Sequence, residues 1–383
     1  MLVMKKCSAF ILALLLLWSC GTPDEAFHNP IRVDIDERHD VSIFDIFERI
    51  EIIPLETTDE SIFRFVDKLI YHEGVFYIFD FVSDKILAFD STGKFLFKID
   101  DRGQGPEQYL NISDFEIDRQ ANKLLVLDPL RSDMIEYDLS GNFLRRISLP
   151  AIMGAYQYLK CLGNDVIAFW TFDETNRLKF FDRNNNSIFQ EHFPRKVRSL
   201  FDHFTVAAFP YANRVMRESV TDNRVFEVFS DGTYSVAYTW DFGRLNNPAN
   251  IASRFPRSEQ RHSPEERNAL MNRMRNSEMV NYFFNRTGGN RTYRYAQVTR
   301  RGEWVNIFHN ISEDRAIVFT ETTESARFYP IFWSDEFVIG WGPFADRFLR
   351  TAPDAILDER NLEIKRNIDE FDNPTLIKYW FRR

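Results

Sequence analysis

From Val75 to Leu144 short apolar runs alternate with tight polar turns, and the pattern returns after 48 residues. Tyr77-Ile78-Phe79-Asp80 reappears as Leu125-Val126-Leu127-Asp128. Leu87-Ala88-Phe89-Asp90-Ser91-Thr92-Gly93-Lys94-Phe95-Leu96 reappears as Ile135-Glu136-Tyr137-Asp138-Leu139-Ser140-Gly141-Asn142-Phe143-Leu144. Within each unit Lys85 to Asp90 alternates with a period of two, which predicts a strand, and the turn that follows offers glycine for a positive φ. Weaker copies follow at Leu178 to Asn185, where asparagine replaces glycine, and at Val225 to Gly232. Turn positions 93, 141, 185 and 232 lie 48, 44 and 47 residues apart. Units of about 45 residues with four short strands are the blades of a β-propeller. Six of them use about 270 residues. The remainder predicts an N-terminal lead, an insertion near 245–290 and a charged segment near 353–371.

The insertion predicts a helix. Ser263 is an N-cap, Pro264 suits the first turn and Glu266 completes a capping box, while Leu270, Met271 and Met274 share one face. Ala352 to Asp372 also suits a helix, with Ile356, Leu357, Ile364 and Ile368 as its apolar side. The last strand-like run, about 374–382, is expected to close the ring by pairing with Arg49 to Leu55, which would remove a free sheet edge. The expected fold is therefore all-β: a single six-bladed propeller over 46–383 with a helical insertion and a short C-terminal helical excursion.

Composition changes this picture little. The 38 phenylalanines among 383 residues suit strands and a large core. A net charge of −9 without a basic tail gives no reason to expect nucleic-acid binding.

The first twenty residues bear on the compartment. Lys5 and Lys6 precede an unbroken apolar run from Ala9 to Trp18, too short to span a bilayer as a helix and suited to a signal peptide over 1–19. Leu17-Trp18-Ser19-Cys20-Gly21 resembles the lipobox of bacterial lipoproteins. That resemblance implies lipid on Cys20, a tether and lead-in over 20–45, and a place in the cell envelope, anchored to a membrane. Cys161 is then left alone in an apolar stretch, as a buried thiol without a disulfide partner.

Two further resemblances follow from the repeat. Val75 to Asp80, Asp84 to Asp90 and Gly93-Lys94-Phe95 resemble the NHL repeat. Ile52-Ile53-Pro54-Leu55-Glu56-Thr57-Thr58, Gly103-Gln104-Gly105-Pro106-Glu107-Gln108-Tyr109 and Asp372-Asn373-Pro374-Thr375-Leu376-Ile377 are similar to a family of bacterial six-bladed propeller lipoproteins of undefined role. The resemblance implies six blades and no reaction.

Candidate chemistry is sparse, and no catalytic residue, metal ligand or cofactor is expected. Gly103-Gln104-Gly105-Pro106 lacks both the donor and the following helix of a phosphate loop, and reads as an interblade crossing using glycine for unusual φ. Asp80, Asp84, Asp128 and Asp133 recur with the repeat and so read as turn caps. A metal-dependent hydrolase or lyase in the channel is the alternative they leave open. The seven histidines show neither a helical i, i+4 pair nor an HExxH context. Trp333, Trp341 and Phe344 read as core in preference to a sugar platform. The most asymmetric feature is the run from Ile251 to Arg301, with eleven Arg, no Lys and four Glu. Arg261, Arg267, Arg273 and Arg275 are the candidate contacts there for a protein or an acidic glycan, since guanidinium forks match carboxylate and sulfate. The expected function is a membrane-anchored extracytoplasmic module for ligand or protein binding, or a scaffold.

Overall fold

The computed structural model describes residues 29–173, 175–194, 214–216, 223–246, 263–342, 352–369 and 371–382. Strand β1 is Pro30–Arg32 and β2 is Phe47–Ile53. The first sheet contains β3 (Lys68–His72), β4 (Val75–Asp80), β5 (Lys85–Asp90) and β6 (Phe95–Ile99). The second contains β7 (Asp114–Asp118), β8 (Lys123–Asp128), β9 (Asp133–Asp138) and β10 (Phe143–Ser148). The third contains β11 (Tyr156–Gly163), β12 (Val166–Thr171), β13 (Asn176–Asp182) and β14 (Ser187–Pro194). In the fourth, β15 (Arg214–Met216), β16 (Arg224–Val228) and β17 (Tyr234–Asp241) join β1. The fifth contains β18 (Asn281–Gly289), β19 (Tyr293–Arg300), β20 (Glu303–Asn310) and β21 (Arg315–Phe319). In the sixth, β22 (Pro330–Trp333), β23 (Phe337–Gly342) and β24 (Thr375–Phe381) join β2. These six sheets are the blades of a six-bladed β-propeller.

Each blade is sandwiched between two others, so its central strands are apolar on both faces. Phe76 and Ile78 of β4 enter the core shared with Phe337 and Ile339, whereas Tyr77 and Phe79 enter the core shared with Phe115 and Leu124. This explains why Val75-Phe76-Tyr77-Ile78-Phe79 is a continuous apolar run.

The turns between third and fourth strands follow one chemistry. Asp90 Oδ1 accepts from the backbone N–H groups of Thr92 and Lys94, and Asp138 Oδ1 does the same for Ser140 and Asn142. Gly93 and Gly141 occupy the left-handed position at φ +89° and +84°. In the third blade Asn186, not Asn185, takes that role at φ 48°.

The ring closes as expected. Strand β2 pairs antiparallel with β24, with Ile50 opposite Tyr379 and Ile52 opposite Ile377. Buried Asn361 accepts from Ile52 N–H and donates to Ile50 O, while buried Asn373 ties the chain around Glu56 to Phe63. The fourth blade holds a surprise. Its turn 229–233 repeats the bonds of 90–94 and 138–142, which makes β16 and β17 third and fourth strands. Strand β1 then adds outside them, parallel to β17, and covers that edge. From there residues 33–46, read from sequence as lead-in as far as residue 45, cross the fifth blade. Val33, Ile35 and Val41 are buried along this strap, and helix α1 (Ile43–Ile46) ends it with a Ser42 capping box.

Helix α2 (Pro264–Arg275) carries the predicted Ser263–Glu266 capping box, with Met274 buried. The insertion ends sooner than 290, because Asn281–Gly289 pairs with β19 as the first strand of the fifth blade. The second excursion is also less helical than its spacing suggests. Pro353 precedes a single 3-10 turn (Asp354–Ile356), and Asp358 caps a new helix, α3 (Glu359–Arg366), which stops at Asn367.

Candidate functional site

The innermost strands of the first three blades are linked by charge. Lys68 Nζ lies 2.8 Å from Asp114 Oδ1, and Lys160 Nζ lies 3.0 Å from Glu116 Oε2. Asp114 Oδ2 also accepts from the Leu159 N–H at 3.0 Å. Burial opposes charge on Lys68, yet Asp114 and Glu116 outweigh it and raise its pKa. Burial likewise opposes charge on Glu116, and the two lysines overcome it and hold the carboxyl below its ordinary range. These carboxylates hold neighbouring blades together.

The repeated aspartates are equally occupied. Asp80 accepts from Val82 N–H and Arg64 N–H, and Asp128 from Leu130 N–H and Leu110 N–H. Asp84 accepts from Ile112 N–H, and Asp133 pairs with Arg146. Among the described residues no group of three or more His, Cys, Asp or Glu is arranged to hold a metal. At Gly103 and Gly105 the reason for glycine differs from the expected one. Neither has a positive φ; instead the Gln108 side chain lies against them, 2.2 Å from a Cβ placed on Gly103, and binds Gly105 N–H. Burial raises the Cys161 thiol well above its ordinary pKa, which suppresses thiolate chemistry. Trp333 and Trp341 are core residues, and Phe344 lies outside the described residues.

The candidate site lies where the repeat is broken. A cleft of about 220 Å3 opens between the strap, the end of the fourth blade and the fifth blade, lined by Asp36, Arg244, Leu245, Glu278, Met279, Arg300 and Arg301. Arg300 is buried, places Nη2 3.0 Å from Asp36 Oδ2 and donates from Nε to Glu278 O. Arg301 stands on the tight β19–β20 turn at φ 50°, half-exposed, with Glu278 3.6 Å away. The turn also receives the end of α2, since Arg301 N–H bonds to Ser277 O and Gly302 N–H to Arg275 O. Arg38 stands in the same field. Burial first, and then Arg300 and Arg301, lower its pKa against the pull of Glu303 and Asp36. Its hydrogen bonds to Arg300 hold the Asp36 carboxyl below the usual carboxylate range, so Asp36 is an anion and not a proton donor near neutral pH. Arginine and carboxylate alternate around the cleft, with Arg300 paired to Asp36 and Arg301 to Glu278.

The four arginines singled out from sequence fare differently. Arg273 is exposed on α2 and Arg275 lies half-buried at its end beside the turn that carries Arg301. Arg261, the Arg267 side chain and Cys20 lie outside the described residues. Sequence reasoning counted Arg300 and Arg301 in the arginine-rich run but missed them as a site. The signal available was Arg300-Arg301-Gly302-Glu303, a two-residue hairpin turn with an arginine at its tip.

A closed ring of six four-stranded sheets places the chain among the six-bladed β-propellers. The sequence matches the family described as a domain of unknown function, DUF4934, over residues 28–379, and the chain belongs to that family. It is similar to a candidate exported protein from Bacteroides fragilis, with a TM-score of 0.74 at 14% identity, covering 93% of this chain and 100% of that one. It is also similar to a member of the DUF4221 family from Bacteroides vulgatus, with a TM-score of 0.51 at 12% identity, covering 90% of this chain and 99% of that one. At these identities the likeness concerns the fold. No curated protein matches the sequence. Among the described residues no helix is long and apolar enough to cross a membrane.

Proposed function

We propose that this protein is an exported β-propeller, held in the cell envelope by a lipid on Cys20, that binds an acidic ligand at the cleft between strap and fifth blade. The class of ligand is an acidic polysaccharide presenting carboxylate or sulfate groups. The cleft carries this reading. Arg244, Arg300 and Arg301 line it against Asp36 and Glu278, with Arg38 close by and the arginines of α2 beside it. The surplus is cationic, in a protein of net charge −9. A planar guanidinium meets a carboxylate or sulfate through two parallel bonds, and a partly enclosed cleft screens that contact less than open water does. The repeated aspartates and the buried Asp114 and Glu116 are committed to turns and interblade pairs, which favours binding over catalysis.

Chromatography on an immobilised uronate or sulfated polysaccharide tests the proposal. The native protein is expected to elute at higher salt than an Arg273→Glu, Arg301→Glu variant of unchanged melting temperature. Equal retention of the two proteins would remove the cleft as the binding site.

A further inference from the structure

Large apolar side chains reach solvent at both ends of the ring, but the six beside the turns between third and fourth strands, Leu96 and Leu144 among them, are no more than 46% exposed. In the first blade Lys68 pairs with Phe79 and Ile86 with Ile99, so the start of the first strand, the turn between second and third strands and the end of the fourth strand share one end. The chain crosses from blade to blade at this end. Seven of the thirteen exposed large apolar side chains among the described residues stand on its loops. They include Ile62, Val82, Leu130, Met153, Phe172 and Phe371, from 37% exposed at Phe172 to 77% at Phe371, with Phe81 beside Val82. Val82 and Leu130 occupy the same position of the 48-residue repeat.

Hydrogen bonds between loops join these tips into one arc, the first and second blades through the crossing chain, where Ile112 N–H donates to Asp84 and Leu110 N–H to Asp128. Asn373, two residues after Phe371, donates to Ser61 O beside Ile62. Ile62 O accepts from Lys85 Nζ, at the foot of the Phe81–Val82 turn. Leu149 N–H donates to Ser132 O near Leu130, and Phe172 N–H donates to Ala155 O near Met153. The arc spans the sixth, first, second and third blades.

We infer that this arc inserts into the surface of a lipid bilayer and lays the ring flat on the membrane. Two observations select a lipid surface as the occupant. The apolar groups are carried on separate loop tips in place of a groove, a shape suited to shallow insertion among headgroups. Their backbones can be dehydrated cheaply: Phe81 N–H already bonds to Asp67, Val82 N–H to Asp80, and Leu130 N–H to Asp128. Neither observation rests on lipidation of Cys20.

The test separates the arc from the lipid. All six sheets lie within residues 30–381, so a Cys20→Ser chain beginning at residue 20 retains the ring. It is floated with neutral vesicles of phosphatidylcholine and phosphatidylethanolamine, which removes the contribution of the arginine cleft. Binding is expected, with partitioning at least tenfold weaker for a Val82→Ser, Leu130→Ser, Phe371→Ser variant. Three exposed positions are altered, so the variant should keep its melting temperature. A dye on Leu130→Cys should shift to the blue with vesicles, and a dye on Thr92→Cys, on the turn between third and fourth strands, should not. No flotation, equal flotation of the variant, or a shift at both labels would overturn the inference. Concentration-dependent dimerisation that the triple variant abolishes, without vesicle binding, would assign the arc to a second copy and also overturn it. Mass spectrometry of the N-terminal peptide of the native protein decides lipidation independently.

Discussion

Asn373 is the sharpest place to test how the ring is closed. Its side chain is buried, accepts from Phe63 N–H at 3.0 Å, and donates to Glu56 O at 2.8 Å and Ser61 O at 3.0 Å. Replacement by alanine leaves the Phe63 N–H and the Ser61 O without their partner where water has little access, while Glu56 O keeps the Ser61 hydroxyl. A buried hydrogen bond contributes about 1 kcal/mol net, and an orphaned buried group costs about 1–3 kcal/mol. With partial relaxation, Asn373→Ala should lose about 3 kcal/mol. For a chain of this size about 2 °C is lost per kcal/mol, so melting should fall by about 6 °C. Thermal and guanidinium unfolding followed by circular dichroism read the effect. The control is Asn367→Ala, an exposed position whose side chain bonds only to Glu363 O among the contacts described. It should stay within about 0.5 kcal/mol. If Asn373→Ala melts within a degree of the native protein, the seam is not held by this clasp and the reasoning fails.

Two other predictions concern the strap and the crossing loop. Burial opposes charge on Glu324, but hydrogen bonds from Ser42, Thr322 and the Ile43 N–H overcome it and hold the carboxyl at about 2. A carboxyl depressed from 4.5 stabilises the fold above its ordinary pKa, and that contribution disappears as pH falls from about 4.5 to about 2. Glu324→Gln should therefore lower stability by about 1 kcal/mol at pH 7, after solvent screening, and by almost nothing near pH 2; equal losses at both would refute it. Gly103→Ala should displace Gln108 from Gly105 N–H and cost about 1 kcal/mol, whereas Gln108→Ala with Gly103→Ala should cost no more than Gln108→Ala alone; additive losses in chemical denaturation would place the strain elsewhere.

The legibility of this fold followed the strictness of its turns. Asp90 with Gly93, and Asp138 with Gly141, fix both a hydrogen-bond acceptor and a left-handed residue, so the first two blades stood out in the sequence. Strand β1 did not, because Pro30-Ile31-Arg32 has too few positions to show a period and pairs with a strand more than 200 residues away. Ile356, Leu357, Ile364 and Ile368 gave a helical spacing that the backbone interrupts at Asp358, whose side chain prefers to cap. Asn281–Gly289 lacks alternation and ends in two glycines, so it read as insertion. The cleft joins residues 36, 244, 278 and 300, and no local spacing rule can bring those together.

Symmetry also separates the two surfaces proposed for this protein. Val82 and Leu130 repeat because each tip sits on the same turn, and a flat bilayer is one partner that several equivalent tips can engage at once. The cleft is built from parts that do not repeat with the blades. It arises where a strap from the N-terminus, an inserted helix and one hairpin converge, and one discrete anion needs such a unique site. A repeated feature thus suits an extended, featureless partner, and a broken repeat suits a specific one. The apolar arc and the arginine cleft can accordingly be altered separately: polar substitutions at the tips should leave polysaccharide retention intact, because the tips named lie on the sixth, first, second and third blades and the cleft between the fourth and fifth.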